Sequence, residues 1–208
     1  VLLEHHNVNR LFLATDSQYQ FNDQDVWTLF HSYAFDFSVW EIWGALFHGG
    51  KLVVVPKTVT RDPELFYNLI CRQKVSVLNQ TPGAFGQLIN IDAQMDGKLE
   101  TLRYVIFGGD ALNIEILRPW WQKYTDDQPR LVNMYGVTET TVHVTYGALT
   151  QQHLAQRRVG FVGKHIQDLQ AYVLDQHGNI CPVGTPGELY IGGAGLARGY
   201  LNQEALTQ

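Results

Sequence analysis

The sequence predicts an α/β fold, in which a mostly parallel sheet with crossover helices is followed by part of a β-barrel-like lobe. Three observations predict it. Short apolar runs alternate with helically periodic segments through the first 150 residues, strands rich in Gly and Pro follow, and 208 residues suffice for one ample core or a core plus a smaller lobe. Such alternation argues for parallel strands joined by right-handed crossovers.

The first predicted lobe consists of short strands separated by amphipathic helices. Strand-like runs predict strands at 26–30, 51–55, 75–78, 104–107 and 130–134. Apolar residues at helical spacing predict helices at 38–47, 63–73, 83–93 and 113–124. We expect this lobe to occupy residues 1–150 and to be incomplete.

Residues 151–208 are predicted to form part of a β-rich lobe. Hairpin strands are expected at 171–174 and 187–191, with a turn at 175–178. The glycine-rich run at 192–199 opens no clear βαβ unit, so we interpret it as a tight turn and not as a dinucleotide-binding loop. The chain lacks an initiating Met and stops as a helix begins, so we interpret it as an internal piece of a larger domain.

Composition narrows the class of protein. A hydrophobic content of 45% with 17% charged residues is ordinary for a soluble globular domain. The net charge of −5 gives no reason to expect nucleic acid or a membrane surface as a partner, and no apolar run approaches the roughly 20 residues of a membrane span. Cys71 and Cys181 are too few and too far apart for a disulfide framework or a metal site, which favours a reducing cytoplasmic location.

A set of residues suited to binding a nucleotide lies in the run LVNMYGVTETT at 131–141, at the end of the last predicted strand of the first lobe. Tyr135 offers a flat face for a base, and Gly136 lets backbone come close to a ligand. Thr138 carries a hydroxyl donor for a phosphate oxygen, and Glu139 is a hard oxygen ligand for Mg²⁺. Taken alone, the same run is also typical of a capped turn.

Asp36 is the candidate for binding a cation. Ser38 and Glu41 have the spacing of a capping box, so we expect Ser38 to cap the helix at 38–47. Asp36, which would otherwise be interpreted as the cap, is then left free. A carboxylate beside a helix start needs a cation, and the α-ammonium of an amino acid would supply one.

Several candidate residues lie at or just beyond the carboxyl ends of predicted strands, the edge at which open α/β sheets bind ligands. They are Asn79, Ile106, Gly108 and Met134. Ile106 and Gly108 face the same side of a strand, whereas Met134 and Tyr135 are adjacent and point in opposite directions. Two neighbouring pockets would suit an enzyme that joins two substrates.

Three motifs, FDFSVWE at 35–41, the run at 131–141 and GELYIGGAGLARGYL at 187–201, resemble the adenylate-forming superfamily in the same order. The chain is most similar to the amino-acid-activating adenylation domain of nonribosomal peptide synthetases. This resemblance implies part of the large subdomain of that fold, with an amino acid and ATP as substrates and Mg²⁺ as cofactor. It also implies a condensation domain and a peptidyl carrier domain as partners, the latter bearing phosphopantetheine.

The resemblance implies a role for individual residues. The amino-acid pocket would be formed by Asp36, Phe37, Trp40, Asn79, Ile106, Gly108, Met134, Val142 and His143. The nucleotide would be bound by Gly109, Asp110, Ala111, Asn133, Tyr135, Gly136 and Thr138, with Tyr135 stacked on the base and Thr138 on the α-phosphate. Glu139 would hold Mg²⁺, which makes Thr138 and Glu139 the expected catalytic pair. Val137 stands where the family commonly has proline, and we expect it to loosen the turn slightly.

The pocket composition predicts L-threonine as the amino acid. Asn79 and His143 would bind a hydroxyl, and leaving them unpaired would cost about 1–3 kcal/mol each. The apolar Ile106, Met134 and Val142 suit a methyl group, and the set is similar to the family pattern for threonine. The family also has a phosphate loop, a ribose-binding aspartate and a catalytic-lysine lobe that this chain does not include, so we expect the fragment alone to be inactive. Two alternatives remain: an acyl- or aryl-CoA ligase of the same superfamily, and a non-catalytic nucleotide-binding remnant.

Overall fold

The computed structural model describes residues 1–156 and 160–208. The main sheet has the strand order β2-β1-β3-β4-β5-β6-β7, with β1 to β5 parallel and the last two strands antiparallel to their neighbours. Its strands are β1 (Val26–Leu29), β2 (Lys51–Val54), β3 (Val77–Gln80), β4 (Tyr104–Phe107), β5 (Arg130–Asn133), β6 (Thr145–Leu149) and β7 (Lys164–His165). The α/β fold with a mostly parallel sheet is confirmed.

Helices cover both faces of this sheet. The helices of the described residues are α1 (His5–Tyr19), α2 (Phe37–Phe47), α3 (Pro63–Gln73), α4 (Pro82–Asp92), α5 (Arg118–Lys123), α6 (Gln151–Ala155) and the exposed α7 (Glu204–Thr207). The helix predicted at 113–124 is a 3-10 turn over Ile114–Leu117 followed by α5. Pro119 near the start of α5 has no backbone N–H to donate, so it is better placed in a first turn than inside one long helix. Within the described residues, no helix combines the length and apolarity needed to cross a membrane.

Helix α1 was not predicted, although its sequence carries a helical signal. Leu11, Phe12 and Tyr19 are buried and lie on one face. Phe12 stacks on Trp40 with ring centroids 4.6 Å apart, which joins α1 to α2. The Tyr19 hydroxyl donates to the Met134 sulfur at 3.0 Å, so α1 supports the strand end at which the candidate site lies.

The sheet separates two hydrophobic clusters. In β4, Val105 and Phe107 belong to one cluster, whereas Tyr104 and Ile106 belong to the other, as expected for side chains that alternate across a strand. The second cluster contains Phe12 and Tyr19 of α1 and Phe37 and Trp40 of α2, together with Met134 and Val142. The candidate site is therefore built on this face of the sheet.

The predicted hairpin is confirmed, with β8 (Leu169–Leu174) antiparallel to β9 (Glu188–Gly193). Its turn is fixed by Asp175, whose carboxylate accepts the backbone N–H groups of His177 at 2.8 Å and Asn179 at 2.9 Å. The boundary predicted after residue 150 falls directly behind β6, and β7 of the main sheet lies beyond it. The division into two lobes stays a prediction.

Candidate active site

A cavity of about 490 Å³ opens at the carboxyl end of the parallel strands. It is lined by Phe35, Asp36, Phe37, Gly109, Asp110, Ala111, Leu112, Asn133, Met134, Tyr135, Gly136, Val137, Thr138, Glu139, Val142, His143, Gly160 and Val162. Segments far apart in the chain meet here because the ends of β4 and β5 and the start of α2 share one edge of the sheet. Every residue predicted to bind nucleotide lines this cavity.

The predicted amino-acid residues divide into two groups. Asp36, Phe37, Met134, Val142 and His143 line the cavity. Trp40, Asn79, Ile106 and Gly108 are absent from its lining and pack behind it.

The group behind the cavity supports its wall. The Trp40 indole N–H donates to Asn79 Oδ1 at 3.0 Å, and the Trp40 and His143 rings meet edge to face at 5.1 Å. A Cβ at Gly108 would lie 3.3 Å from the Phe37 ring, so this glycine allows Phe37 to pack closely. The Asn79 carboxamide oxygen therefore accepts a hydrogen bond, while its Nδ2 is buried and has no partner among the described residues.

The capping prediction for α2 is wrong. The helix begins at Phe37, Asp36 takes the preceding position, and no side chain caps the end. Glu41 is wholly buried, and its carboxylate accepts the backbone N–H groups of Phe30 and His31, each at 3.1 Å. The Glu41 carboxylate binds these two N–H groups and not the start of α2, because each N–H group would otherwise lack an acceptor.

Asp36 nevertheless remains available to a ligand. Its carboxylate does not cap the helix; it accepts a hydrogen bond from the Thr138 hydroxyl at 2.6 Å. Among the ion pairs of the described residues, Asp36 has neither an arginine nor a lysine partner. A half-buried carboxylate on the cavity wall is thus left without a cation to neutralise it.

His143 is a buried, uncharged hydrogen-bonding group. Its side chain is 2% exposed, and neither ring nitrogen has a hydrogen-bond partner in the described structure. Burial, and then the positive charge of Arg10, lowers the pKa of His143 to about 3. The neutral imidazole has one donor and one acceptor, both suited to a ligand hydroxyl.

Glu139 faces the cavity as a carboxylate. The Tyr200 hydroxyl donates to its Oε1 at 2.6 Å, and this bond is the main cause of a lowered pKa for Glu139. No group of three or more His, Cys, Asp or Glu side chains within the described ranges could hold a metal alone. A single carboxylate fits Mg²⁺, because this ion is commonly bound by one or two carboxylates together with substrate phosphates and water.

The turn between β5 and β6 is tighter than its sequence indicates. A Cβ at Gly136 would overlap the Val142 carbonyl oxygen, so the close approach that requires this glycine is to the protein's own backbone. The Val137 N–H donates to Thr140 Oγ1 at 3.3 Å, a bond that proline could not form. The expectation that Val137 loosens the turn is therefore not supported by the hydrogen bonding.

Comparison with known proteins identifies the family. Residues 1–201 match the family model described as AMP-binding enzyme. The chain belongs to this family.

The relatives that align with this chain include a nonribosomal peptide synthase. The whole chain aligns with a dimodular nonribosomal peptide synthase of Bacillus subtilis (strain 168) at 51% identity and with syringomycin synthase SyrB1 of Pseudomonas syringae pv. syringae at 47%. It spans 9% of the length of the first relative and 34% of the second.

Two solved structures share the fold of this chain. The Vibrio cholerae adenylation domain AlmE, in complex with glycyl-adenosine-5'-phosphate, matches 99% of this chain with a TM-score of 0.85 at 25% identity, and the match covers 38% of that chain. The nonribosomal peptide synthetase FmoA3 matches all of this chain with a TM-score of 0.91 at 24% identity, over 22% of its own length. The observed architecture is therefore that of the large subdomain of adenylation domains.

The cavity also contains residues that were not predicted to bind a ligand. Phe35 lines the cavity, and its ring packs closely on Gly109, where an added Cβ would lie 2.7 Å from the Phe35 ring. Phe35 directly precedes Asp36, so its position in the motif was a usable signal. Leu112 and Val162 complete the apolar lining. Val162 lies in the second predicted lobe, and no motif there indicated a contact with this cavity.

Proposed function

We propose that this chain is a fragment of an adenylation domain that activates an amino acid with ATP, giving an aminoacyl adenylate and pyrophosphate. The observation that carries the proposal is the position of Asp36, a carboxylate with no cationic partner in the same cavity as Tyr135 and Glu139. That arrangement offers an anion for an α-ammonium beside groups for a nucleotide. The relatives named as peptide synthetases, and the glycyl adenylate in the AlmE complex, support the same reaction.

The nucleotide end of the cavity has suitable chemistry. The Tyr135 side chain is 40% exposed, which leaves a ring available to stack on a base. Gly109 has φ +77°, in the region that favours glycine, and brings backbone to the cavity wall. Glu139 would hold Mg²⁺, which when bound would neutralise phosphate charge.

The residues of the chain would act mainly by positioning. Asp36 would hold the ammonium group so that the amino-acid carboxylate oxygen meets the α-phosphorus of ATP. As that O–P bond forms, the bond from the α-phosphorus to the bridging oxygen breaks and pyrophosphate leaves. The Thr138 hydroxyl, which donates to Asp36 in this structure, would instead donate its hydrogen to an α-phosphate oxygen when the nucleotide is bound. Holding two reactants in line in this way replaces a bimolecular encounter with a unimolecular step.

L-Threonine is the proposed amino acid. Met134 and Val142 supply apolar wall for its methyl group, and the buried ring nitrogens of His143 suit its hydroxyl. Serine would leave the methyl site empty, which lowers kcat/KM by about 10- to 200-fold. Valine would leave His143 unpaired. The activated amino acid would then pass to a phosphopantetheine thiol on a peptidyl carrier domain of the same synthetase, next to a condensation domain.

The test is amino-acid-dependent ATP–pyrophosphate exchange by the complete adenylation domain that carries this chain. Threonine should give the highest kcat/KM, and Glu139→Gln should remove most of the exchange. Faster exchange with valine or phenylalanine would contradict the pocket assignment while leaving the adenylation reaction intact. Exchange with aryl or fatty acids in place of amino acids would favour the acyl- or aryl-CoA ligase. No exchange with any acid, together with ATP binding, would favour a non-catalytic remnant.

A further inference from the structure

We propose that Tyr200 is a positioning residue for Glu139, and that the glycine-rich run at 192–199 serves to position it. The inference rests on the proposed function, in which Glu139 holds Mg²⁺. The Tyr200 hydroxyl donates to Glu139 Oε1 at 2.6 Å across 61 positions of sequence. A hydrogen bond to an ionised carboxylate is stronger and more directional than a neutral one, so it orients the carboxylate that faces the cavity.

The same run also holds the Glu139 backbone. The Ala197 N–H donates to the Glu139 carbonyl oxygen at 2.8 Å. The Thr141 hydroxyl, two residues further on, donates to the Gly195 carbonyl oxygen at 2.8 Å. The 3-10 turn Thr138–Thr140, which carries Glu139, is therefore bonded to the run through its main chain and to Tyr200, directly after the run, through the Glu139 side chain.

The run is in turn fixed by the N-terminal segment. The buried Asn7 side chain donates to the Ala194 carbonyl oxygen at 2.8 Å and to that of Leu196 at 3.2 Å. Leu2 donates its N–H to the Gly199 carbonyl oxygen at 2.7 Å and accepts from the Arg198 N–H at 2.9 Å. These bonds fix the backbone on both sides of Ala197 and immediately before Tyr200.

Glycine is needed at two positions for this path. Gly199 has φ +144°, and a Cβ there would overlap Thr207. A Cβ at Gly195 would lie 2.9 Å from an Arg10 guanidinium nitrogen and from a Leu169 methyl carbon. The glycines let the run pass close to α7, β8 and α1, and this path brings the Tyr200 ring to Glu139.

The test substitutes Tyr200→Phe in the complete domain, which removes only the hydroxyl. Tyr190→Phe is the matched control, because the Tyr190 hydroxyl also donates to a glutamate, Glu188, but at 3.2 Å on the exposed hairpin. Mn²⁺ binding is measured by electron paramagnetic resonance in the presence of a non-hydrolysable ATP analogue. We expect Tyr200→Phe to weaken Mn²⁺ binding by about tenfold or more, as for other residues that orient a metal ligand. Tyr190→Phe should leave it unchanged.

A role in folding alone predicts a different pattern. Positioning should raise the Mn²⁺ or Mg²⁺ concentration for half-maximal exchange while the KM for the amino acid stays constant. Gly199→Ala, which displaces Tyr200 but keeps its hydroxyl, should weaken Mn²⁺ binding in the same direction. Unchanged or tighter Mn²⁺ binding by Tyr200→Phe would overturn the proposal, since tighter binding would mean that the hydroxyl competes with the ion.

Glu139→Gln, measured in parallel, separates this inference from the proposed function. If Glu139→Gln binds Mn²⁺ as tightly as the wild type, Glu139 is not the metal ligand and the proposed role of the site fails. If Glu139→Gln loses Mn²⁺ but Tyr200→Phe does not, only the positioning role of Tyr200 is wrong.

Discussion

Replacing Asp36 with asparagine isolates the charge on which amino-acid recognition depends. Asparagine has nearly the same shape, and its carboxamide oxygen can still accept the Thr138 hydroxyl that donates to Asp36 at 2.6 Å. Asp36 forms no ion pair among the described residues, so the free energy of unfolding should change by no more than about 0.5 kcal/mol. What disappears is the negative charge that faces the cavity.

The expected loss falls on the amino acid. Truncating one partner of a hydrogen-bonded, desolvated charge pair costs about 2–5 kcal/mol. Since each 1.4 kcal/mol is about a factor of ten, the KM for the amino acid should rise by about 30-fold or more. Asp36 is half-buried, which places the effect toward the lower end of the range.

The assay is amino-acid-dependent ATP–pyrophosphate exchange, with the KM for the amino acid and the KM for ATP measured separately. Asp175→Asn provides the matched control, because Asp175 makes its hydrogen bonds within the exposed turn of the hairpin. Asp36→Asn should raise the KM for the amino acid, whereas Asp175→Asn should leave both constants unchanged.

Two results would refute the reasoning for Asp36. One is a change of less than about threefold in the KM for the amino acid, far below the range expected for a charge pair. The other is a rise confined to the KM for ATP, which would mean that Asp36 acts by orienting Thr138 and not by binding an amine.

Two further predictions concern the folded state. Gly136→Ala should reduce the free energy of unfolding by about 1–3 kcal/mol, because its Cβ would overlap the Val142 carbonyl oxygen. Gly86→Ala in α4 should raise the free energy of unfolding by about 0.5–1 kcal/mol, because a Cβ there would have no atom within 4 Å. Urea unfolding of both variants checks this. The pKa of His143 is about 3 in the folded state and about 6.5 in the unfolded state, so between these two pH values only the unfolded state binds the proton. The free energy of unfolding should therefore fall from about pH 6.5 toward pH 3 by up to about 1.4 kcal/mol per pH unit. Urea unfolding between pH 7.5 and 4.5 should show a shallower dependence for His143→Gln than for the wild type, and equal slopes would contradict a buried, neutral His143.

Most strands were predictable because their sequences are continuous apolar runs. The strand predicted at 104–107 is β4 with the same bounds, and the hairpin was placed within two residues at each end. The strand predicted at 75–78 is instead Val77–Gln80. Asn79 and Gln80 are buried in the middle of the sheet, and polarity alone indicated that the strand had ended. Tertiary hydrogen bonds, such as that from Trp40 to Asn79, make their burial possible.

The site was predictable as a set of residues but not as a set of contacts. Motifs placed Asp36, Thr138 and Glu139 near one another, because strand ends meet at one sheet edge. The bond from Thr138 to Asp36 spans 102 residues of sequence, and the bond from Tyr200 to Glu139 spans 61. Which hydroxyl meets which carboxylate depends on turn geometry and side-chain rotamers that no local pattern encodes. The capping box failed for the same reason, because Glu41 bonds to backbone outside its own helix.

Two consecutive residues at the cavity, of which Val142 lines it, bear on any attempt to change which acid is accepted. Thr141 and Val142 have φ of 60° and 67°, a left-handed conformation that costs a residue with a side chain about 1–3 kcal/mol. Asparagine or glycine at position 142 would relieve that cost whatever acid is offered. A selection that randomises this position would therefore enrich variants for a relaxed main chain as well as for altered preference. Measuring the melting temperature together with the turnover of each variant would distinguish those with a relaxed main chain from those with an altered preference.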